Sequence, residues 1–197
     1  MVELIFVIVV IGILASVAIP KLSGVTDGAK KSAEIATISA VVTAIETANG
    51  EWSINEGTFT WGNRRLSSEL NSHGYPTELG SDPDKKPFDY VIKGNNSKFT
   101  NVSGTNNGVI EGTDYNISIF TGPASGKNGV KFTTESGYNN DIPNKPDKND
   151  FWVYASYVKD ECNITCTECN SQTVYSGDFV LIDVNGTDTT LPNITCN

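Results

Sequence analysis

The chain has 197 residues, a formal net charge of −9 and a pI of about 4.5, with 38% apolar and 19% charged side chains. That length supports one domain of ordinary size with a core of its own. With no basic stripe to displace counterions, the acidic balance excludes a nucleic-acid partner, and it suits a surface that stays soluble when crowded beside copies of itself.

The first element is apolar. The chain opens MVELIFVIVVIGILASVAIPKL, and from Leu4 to Ile19 only Gly12 and Ser16 interrupt the large or small hydrophobes. As a helix those sixteen residues reach ~24 Å, short of the ~30 Å hydrocarbon core of a bilayer. A cleaved signal peptide accounts for the small residues near Ala15 to Ala18, but such a peptide begins with cations, and here Glu3 stands instead. A plain anchor accounts for the greasiness and not for the acid, which costs up to ~3 kcal/mol at the centre of an inserted helix. An acid at this depth reads as functional, with a cationic partner that is not local: Lys21 and Lys30 lie beyond the other end of the run.

The helical pattern continues past Pro20. Ile35, Ile38, Val41, Val42 and Ile45 recur at three- and four-residue spacing, with Lys30, Lys31, Glu34 and Glu46 among them, so this second stretch is amphipathic where the first is apolar all round. Asn49-Gly50 supplies a stop signal. The expectation is one helix of ~50 residues and ~70 Å, divided into an apolar part, 1–22, and an amphipathic part, 23–50, ahead of a head spanning 51–197. Pro20 removes the backbone bond to the Ser16 carbonyl and is expected to kink or loosen the helix.

Glu3, the Ile/Val/Leu run, Gly12, the Ala-Ile-Pro ending at Pro20 and the amphipathic continuation together resemble the N-terminus of type IV pilins and of the pseudopilins of type II secretion. The resemblance covers Glu3 to about Leu22. It implies a pilin-like α+β fold, and a subunit stored in the bacterial inner membrane with its head in the periplasm. It also implies assembly, through the helix, with copies of itself and other pilin-like subunits on an inner-membrane platform. In that family the acid, Glu3 here, neutralises the N-terminal amine of a neighbouring subunit. An unpaired charge in an apolar filament core costs several kcal/mol, so such a pair also sets the stagger. Gly12 and Pro20 would bracket the stretch that melts during assembly. In the family the mature chain starts four residues before the acid, after a basic leader cleaved by a prepilin peptidase. Only Met1 and Val2 precede Glu3 here, so Met1 is expected to be an internal methionine of a longer reading frame.

After Gly50, residues 51 to 88 read as loop with a short helix near Leu66 to Leu70 and turns at Tyr75-Pro76 and Ser81-Asp82-Pro83-Asp84. Strand patterns follow at Phe88 to Lys93, Tyr115 to Phe120, Val130 to Thr133, Phe151 to Val158 and Phe179 to Val184, separated by Gly- and Asn-rich intervals that include Asn139 to Asn149. An antiparallel meander packed on the second half of the helix gives an α+β head.

The four cysteines, Cys162, Cys166, Cys169 and Cys196, lie in the last fifth of the chain. After a membrane-targeting start they read as two disulfides in an oxidising compartment, with three connectivities open; a zinc site and a redox Cys-x-x-Cys are the competing readings. A bridge from the clustered three to Cys196 would tie the C-terminal tail to the last strands, as in many pilin-like heads. Asp183-Val-Asn185-Gly186-Thr-Asp188 departs from a calcium loop and reads as a tight turn. Asn116, Asn163 and Asn185 each sit in an Asn-x-Ser/Thr triplet with an acid two residues upstream, a form that resembles the acceptor of bacterial N-linked oligosaccharyltransferases. The lone histidine, His73, sits in a Ser-His-Gly-Tyr-Pro turn, and no His-x-x-x-His, Gly-x-Ser-x-Gly or phosphate-loop motif occurs. Neither a catalytic centre, a metal nor a cofactor is therefore expected. The alternative to a polymerising subunit is a membrane-anchored periplasmic binding or adhesive domain that stays monomeric.

Overall fold

The computed structural model describes residues 2–55, 70–80, 88–92, 98–101, 110–125, 131–133, 139–141, 150–169, 171–184 and 192–196. Helix α1, Val2–Ile54, runs for 53 residues without a break, passing through Pro20; at 1.5 Å per residue that is ~80 Å. Its many β-branched and hydroxyl residues are accommodated locally. Thr37 Oγ1 donates to the Ala33 carbonyl, Thr43 to Ser39 and Thr47 to Thr43, at 2.6–2.9 Å, so these exposed hydroxyls are satisfied by the helix itself.

The stop expected at Asn49-Gly50 is not used. Asn49 donates its side-chain amide to the His73 carbonyl at 2.7 Å, which pins the following loop while its backbone stays helical. The extra turn packs Trp52 on Gly74, a glycine at φ +79° where a Cβ would meet the indole ring at 2.6 Å. The helix then ends at Asn55, whose backbone N–H and side-chain amide both donate to the Glu51 carbonyl.

Ten strands follow: β1 (Thr100–Asn101), β2 (Ile110–Glu111), β3 (Tyr115–Thr121), β4 (Lys131–Thr133), β5 (Asn139–Asp141), β6 (Phe151–Val158), β7 (Cys162–Thr165), β8 (Gln172–Val174), β9 (Phe179–Ile182) and β10 (Asn193–Cys196). The central sheet has the order β1-β3-β6-β9, with β2 also on β3, and all its pairs are antiparallel. It is not a simple meander. The chain leaves it between β3 and β6 to form the β4–β5 hairpin, and again after β6 to form a three-stranded sheet, β10-β7-β8. The strand patterns at 115–120, 151–158 and 179–184 are realised, the last ending at Ile182. The one at 130–133 begins at Lys131. Within the stretch expected to be loop from Asn139 to Asn149, residues 139–141 form β5.

The segment from Phe88 is a turn rather than a strand. Phe88 and Val91 are both buried at a three-residue spacing, which a strand would send to opposite faces. Phe88 sits at φ +86° and the Val91 and Ile92 N–H groups donate to its carbonyl. Its ring lies 5.0 Å from Phe99 and from Phe120, and that burial offsets the ~1–3 kcal/mol of an unfavourable backbone. Leu66 to Glu69 and Ser81 to Asp84 lie outside the described residues; Leu70 pairs with Pro76.

Alternation along β3 and β6 gives the central sheet two buried faces. Phe120 and Tyr154 join Ile38, Val41 and Ile45 of α1 together with Phe88, Val91 and Phe99. Ile117, Ile119, Val153 and Ala155 face the other way and pack with Cys162, Ile164 and Val174 of the smaller sheet. Helix, central sheet and small sheet form an α+β head in layers.

Candidate functional site: the apolar helix and its junction with the head

Among the described residues, the first part of α1 has no buried surface. Val2–Lys21 is 20 residues of mean hydropathy 2.9 with none of it covered by the head, and Leu4, Phe6, Ile8, Ile11 and Leu14 are each 59–69% exposed. At ~30 Å it is long and apolar enough to cross a membrane. Glu3 lies in the first turn, where a carboxylate also complements the positive end of the helix dipole. Nothing lies within 4 Å of the position a Cβ would take at Gly12, so no contact within the chain demands glycine there. Glu3, Gly12 and Pro20 are thus on one continuous, unburied rod.

The second part of α1 meets the head along Glu34, Ile38, Val41, Ile45 and Ala48, all buried. Ile35, expected in this stripe, is 50% exposed, and Val42 is at its margin. The unexpected member is Glu34, only 4% exposed. One of its oxygens, Oε2, accepts from the Ala124 and Ser125 backbone N–H groups at 2.6 and 3.0 Å, and Oε1 accepts from Trp152 Nε1 at 2.7 Å. The loop after β3 is shaped for this. Gly122 approaches so closely that a Cβ would lie 2.3 Å from the Glu34 carboxyl, and the Gly122 N–H donates to Ser125 Oγ at 2.7 Å. One carboxylate therefore joins α1, the 122–125 loop and β6. The sequence did carry the signal: residues 34, 38, 41, 45 and 48 follow a 4-3-4-3 spacing, which puts the acid on the buried stripe.

At the far end of the head, the turn around His73 acts as a clasp. Asn71 Oδ1 accepts from the His73 and Tyr75 N–H groups, and its amide donates to the Ser156 carbonyl of β6. The His73 ring lies 5.4 Å from Tyr157 and its Nδ1 contacts Ser72 Oγ at 3.3 Å, an arrangement that holds a turn.

The cysteines pair as Cys162–Cys196 and Cys166–Cys169, and no cysteine is free to ligate zinc as a thiolate. The first bridge joins directly opposed residues of β7 and β10, fastening the last strand to the small sheet. The second closes the turn after β7, where Cys169 also pairs with Val184. The candidate glycosylation sites are not brought together. Asn116, in β3, is half-buried with its Oδ1 enclosed and Ser118 is buried, while Asn163, in β7, accepts from Thr173 Oγ1 at 2.8 Å. Asn185, and with it most of the Asp183 to Asp188 turn, lies outside the described residues.

No family model matches the chain, and neither a curated protein nor a solved structure matches it.

Proposed function

We propose that the chain is a structural subunit of a type IV pilus-like filament or of a type II secretion pseudopilus, held in the bacterial inner membrane with its pilin-like head in the periplasm and assembled through α1. The observation that carries this reading is the division of one unbroken helix into a wholly exposed apolar half and a half fastened to the head by Glu34. Such a surface is not stable in water, since each fully buried Leu, Ile or Phe is worth about 1.5–3 kcal/mol. A bilayer takes it up in the stored subunit, and a bundle of the same helices takes it up in a filament. The rigid junction would transmit the position of each helix to its head, so that packing in the core sets packing at the surface.

Glu3 is the register element in this account. Its pairing with the N-terminal amine of a neighbouring copy forms only at the right stagger, and a charge left in an apolar core without such a partner costs several kcal/mol. The expected result for Glu3→Ala is membrane insertion at the wild-type level with incorporation into filaments reduced at least tenfold, read by fractionating membranes and sheared filaments from the same cells. Incorporation at the wild-type level would refute the role of Glu3.

A further inference from the structure

The antiparallel ladder between β3 and β6 changes register at one point. Ile117 pairs with Ala155 and Asn116 with Tyr157, so β6 takes two steps where β3 takes one, and Ser156 is left over as a β-bulge. The bulge is held from both sides. Ser156 Oγ donates to the Asn116 carbonyl at 3.1 Å, and the Asn71 amide donates to the Ser156 carbonyl. Bulges re-aim side chains, and this one stands at a groove of about 330 Å³ lined by Asn116 and Tyr157 together with Tyr115 and Ser72. Asn116 and Tyr157 oppose each other across the ladder, which puts them on one face of the sheet.

The walls are fixed by contacts within the chain. Gly112 lies so close to the Tyr115 ring that a Cβ would come within 2.3 Å of it, and the Gly112 N–H donates to the Tyr115 carbonyl at 2.9 Å. Tyr157 is backed by the His73 ring at 5.4 Å. Asn71 is engaged at both its oxygen and its amide nitrogen by the clasp, and so supplies shape. The remaining polar groups face a different situation. Among the described residues nothing hydrogen-bonds the Tyr115 or Tyr157 hydroxyl, and Asn116 Oδ1 is enclosed with no donor. An enclosed carbonyl oxygen without a donor is costly, and a hydroxyl brought by a ligand would supply one.

The lining selects among ligands. Among the described residues, no charged side chain and no Leu, Ile, Val or Met lines the groove, so it offers neither an ion pair nor an aliphatic socket. The net charge of −9 also repels an anion at long range. Phenols, a hydroxyl and an amide both donate and accept, and the rings present flat apolar faces. A sugar ring is complementary to that set, because its hydroxyls donate and accept while its C–H faces pack on aromatic rings. We infer that this groove binds an uncharged saccharide, with Asn116 Oδ1 accepting a sugar hydroxyl and Tyr115 and Tyr157 flanking the ring. The site lies at the far end of the head. The Asn49–His73 hydrogen bond beside it is ~40 Å along α1 from the end of the apolar segment at Lys21. Such a site serves a polymerising subunit and an anchored monomer alike.

The test uses the full chain in a polyoxyethylene detergent, which carries no sugar of its own. It is applied to an array of neutral oligosaccharides, acidic oligosaccharides and uncharged peptides. The expected result is retention on at least one neutral oligosaccharide, tenfold or more above bare surface, without comparable retention on acidic sugars or peptides. The dissociation constant of the best neutral oligosaccharide is then measured in solution. Asn116→Ala and Tyr157→Phe should each weaken it by about three- to tenfold, the contribution of one neutral hydrogen bond. Ser72→Leu alters an exposed turn residue and narrows the groove, and should weaken binding at least tenfold at an unchanged melting temperature. Should either polar variant fail to fold, Ser72→Leu decides. Retention on no neutral oligosaccharide, a preference for acidic sugars, or equal retention on peptides overturns the inference. An affinity unchanged in Ser72→Leu overturns it as well.

Discussion

Glu34 is buried against the 122–125 loop and Trp152 with three donors aimed at two oxygens, and that geometry determines what each substitution does. Glu34→Ala strands two backbone N–H groups and an indole N–H in a buried place, and charge-assisted hydrogen bonds of this kind are worth roughly 1.5–3 kcal/mol each. The expected loss is about 3–5 kcal/mol in a denaturant titration of the head, with Glu34→Gln losing less because one carbonyl oxygen still accepts. A loss below about 1 kcal/mol for the alanine variant would mean that water replaces the carboxylate freely. Tyr154 is the second buried polar residue whose surroundings settle its behaviour. Its hydroxyl donates to the Pro76 carbonyl at 2.7 Å, and burial, aided by the neighbouring Tyr75, pushes its pKa well above the ordinary value. The folded state holds the phenolic proton more tightly than the unfolded chain, whose tyrosines titrate near ~10. That contribution is complete below pH ~10 and is lost as pH rises from there through the folded-state value. Thermal melts between about pH 8 and 11 should show a decline above pH ~10 that is shallower in Tyr154→Phe; equal slopes would contradict it.

Among the elements, α1 and the long strands were legible because their side-chain periods are unambiguous. Phe151–Val158 and Tyr115–Thr121 are rich in aromatic and β-branched residues, and the apolar run before Pro20 leaves no reading but a helix. The errors have physical causes. Asn49-Gly50 resembles a helix end until the loop that Asn49 holds is known, and Phe88 resembles the start of a strand until its burial on the same side as Val91 is seen. Strands β7, β8 and β10 are three or four residues long, too short to display a period, and a disulfide secures their small sheet. The bridge Cys162–Cys196 spans 34 residues of sequence and Cys166–Cys169 only 3. In the loop-entropy account the first contributes about 4 kcal/mol and the second about 2 kcal/mol. Replacing each pair by serines should reproduce that order in chemical unfolding; the reverse order would show that the turn after β7, and not the β7–β10 pairing, governs the stability of the small sheet.

For the whole molecule, the sequence conveyed the division of labour better than the contacts that connect its parts. The exposed apolar half of α1 and the cysteine-rich last fifth were both visible as composition. The buried role of Glu34, and the small sheet covering the far face of the central one, depend on which residues the fold brings together. Under the function proposed above, the ~30 Å of apolar surface that the ~80 Å helix leaves uncovered has two outlets, lipid and other copies of the chain. The filament reading holds that both are used in succession, and a monomeric anchored domain would use only the first. Single cysteines placed through residues 5–17 of α1, in cells competent for assembly, separate the two most directly. The account predicts oxidative cross-links in a ladder of dimers and higher multimers, confined to one or two helical faces; monomers alone at every position would contradict it.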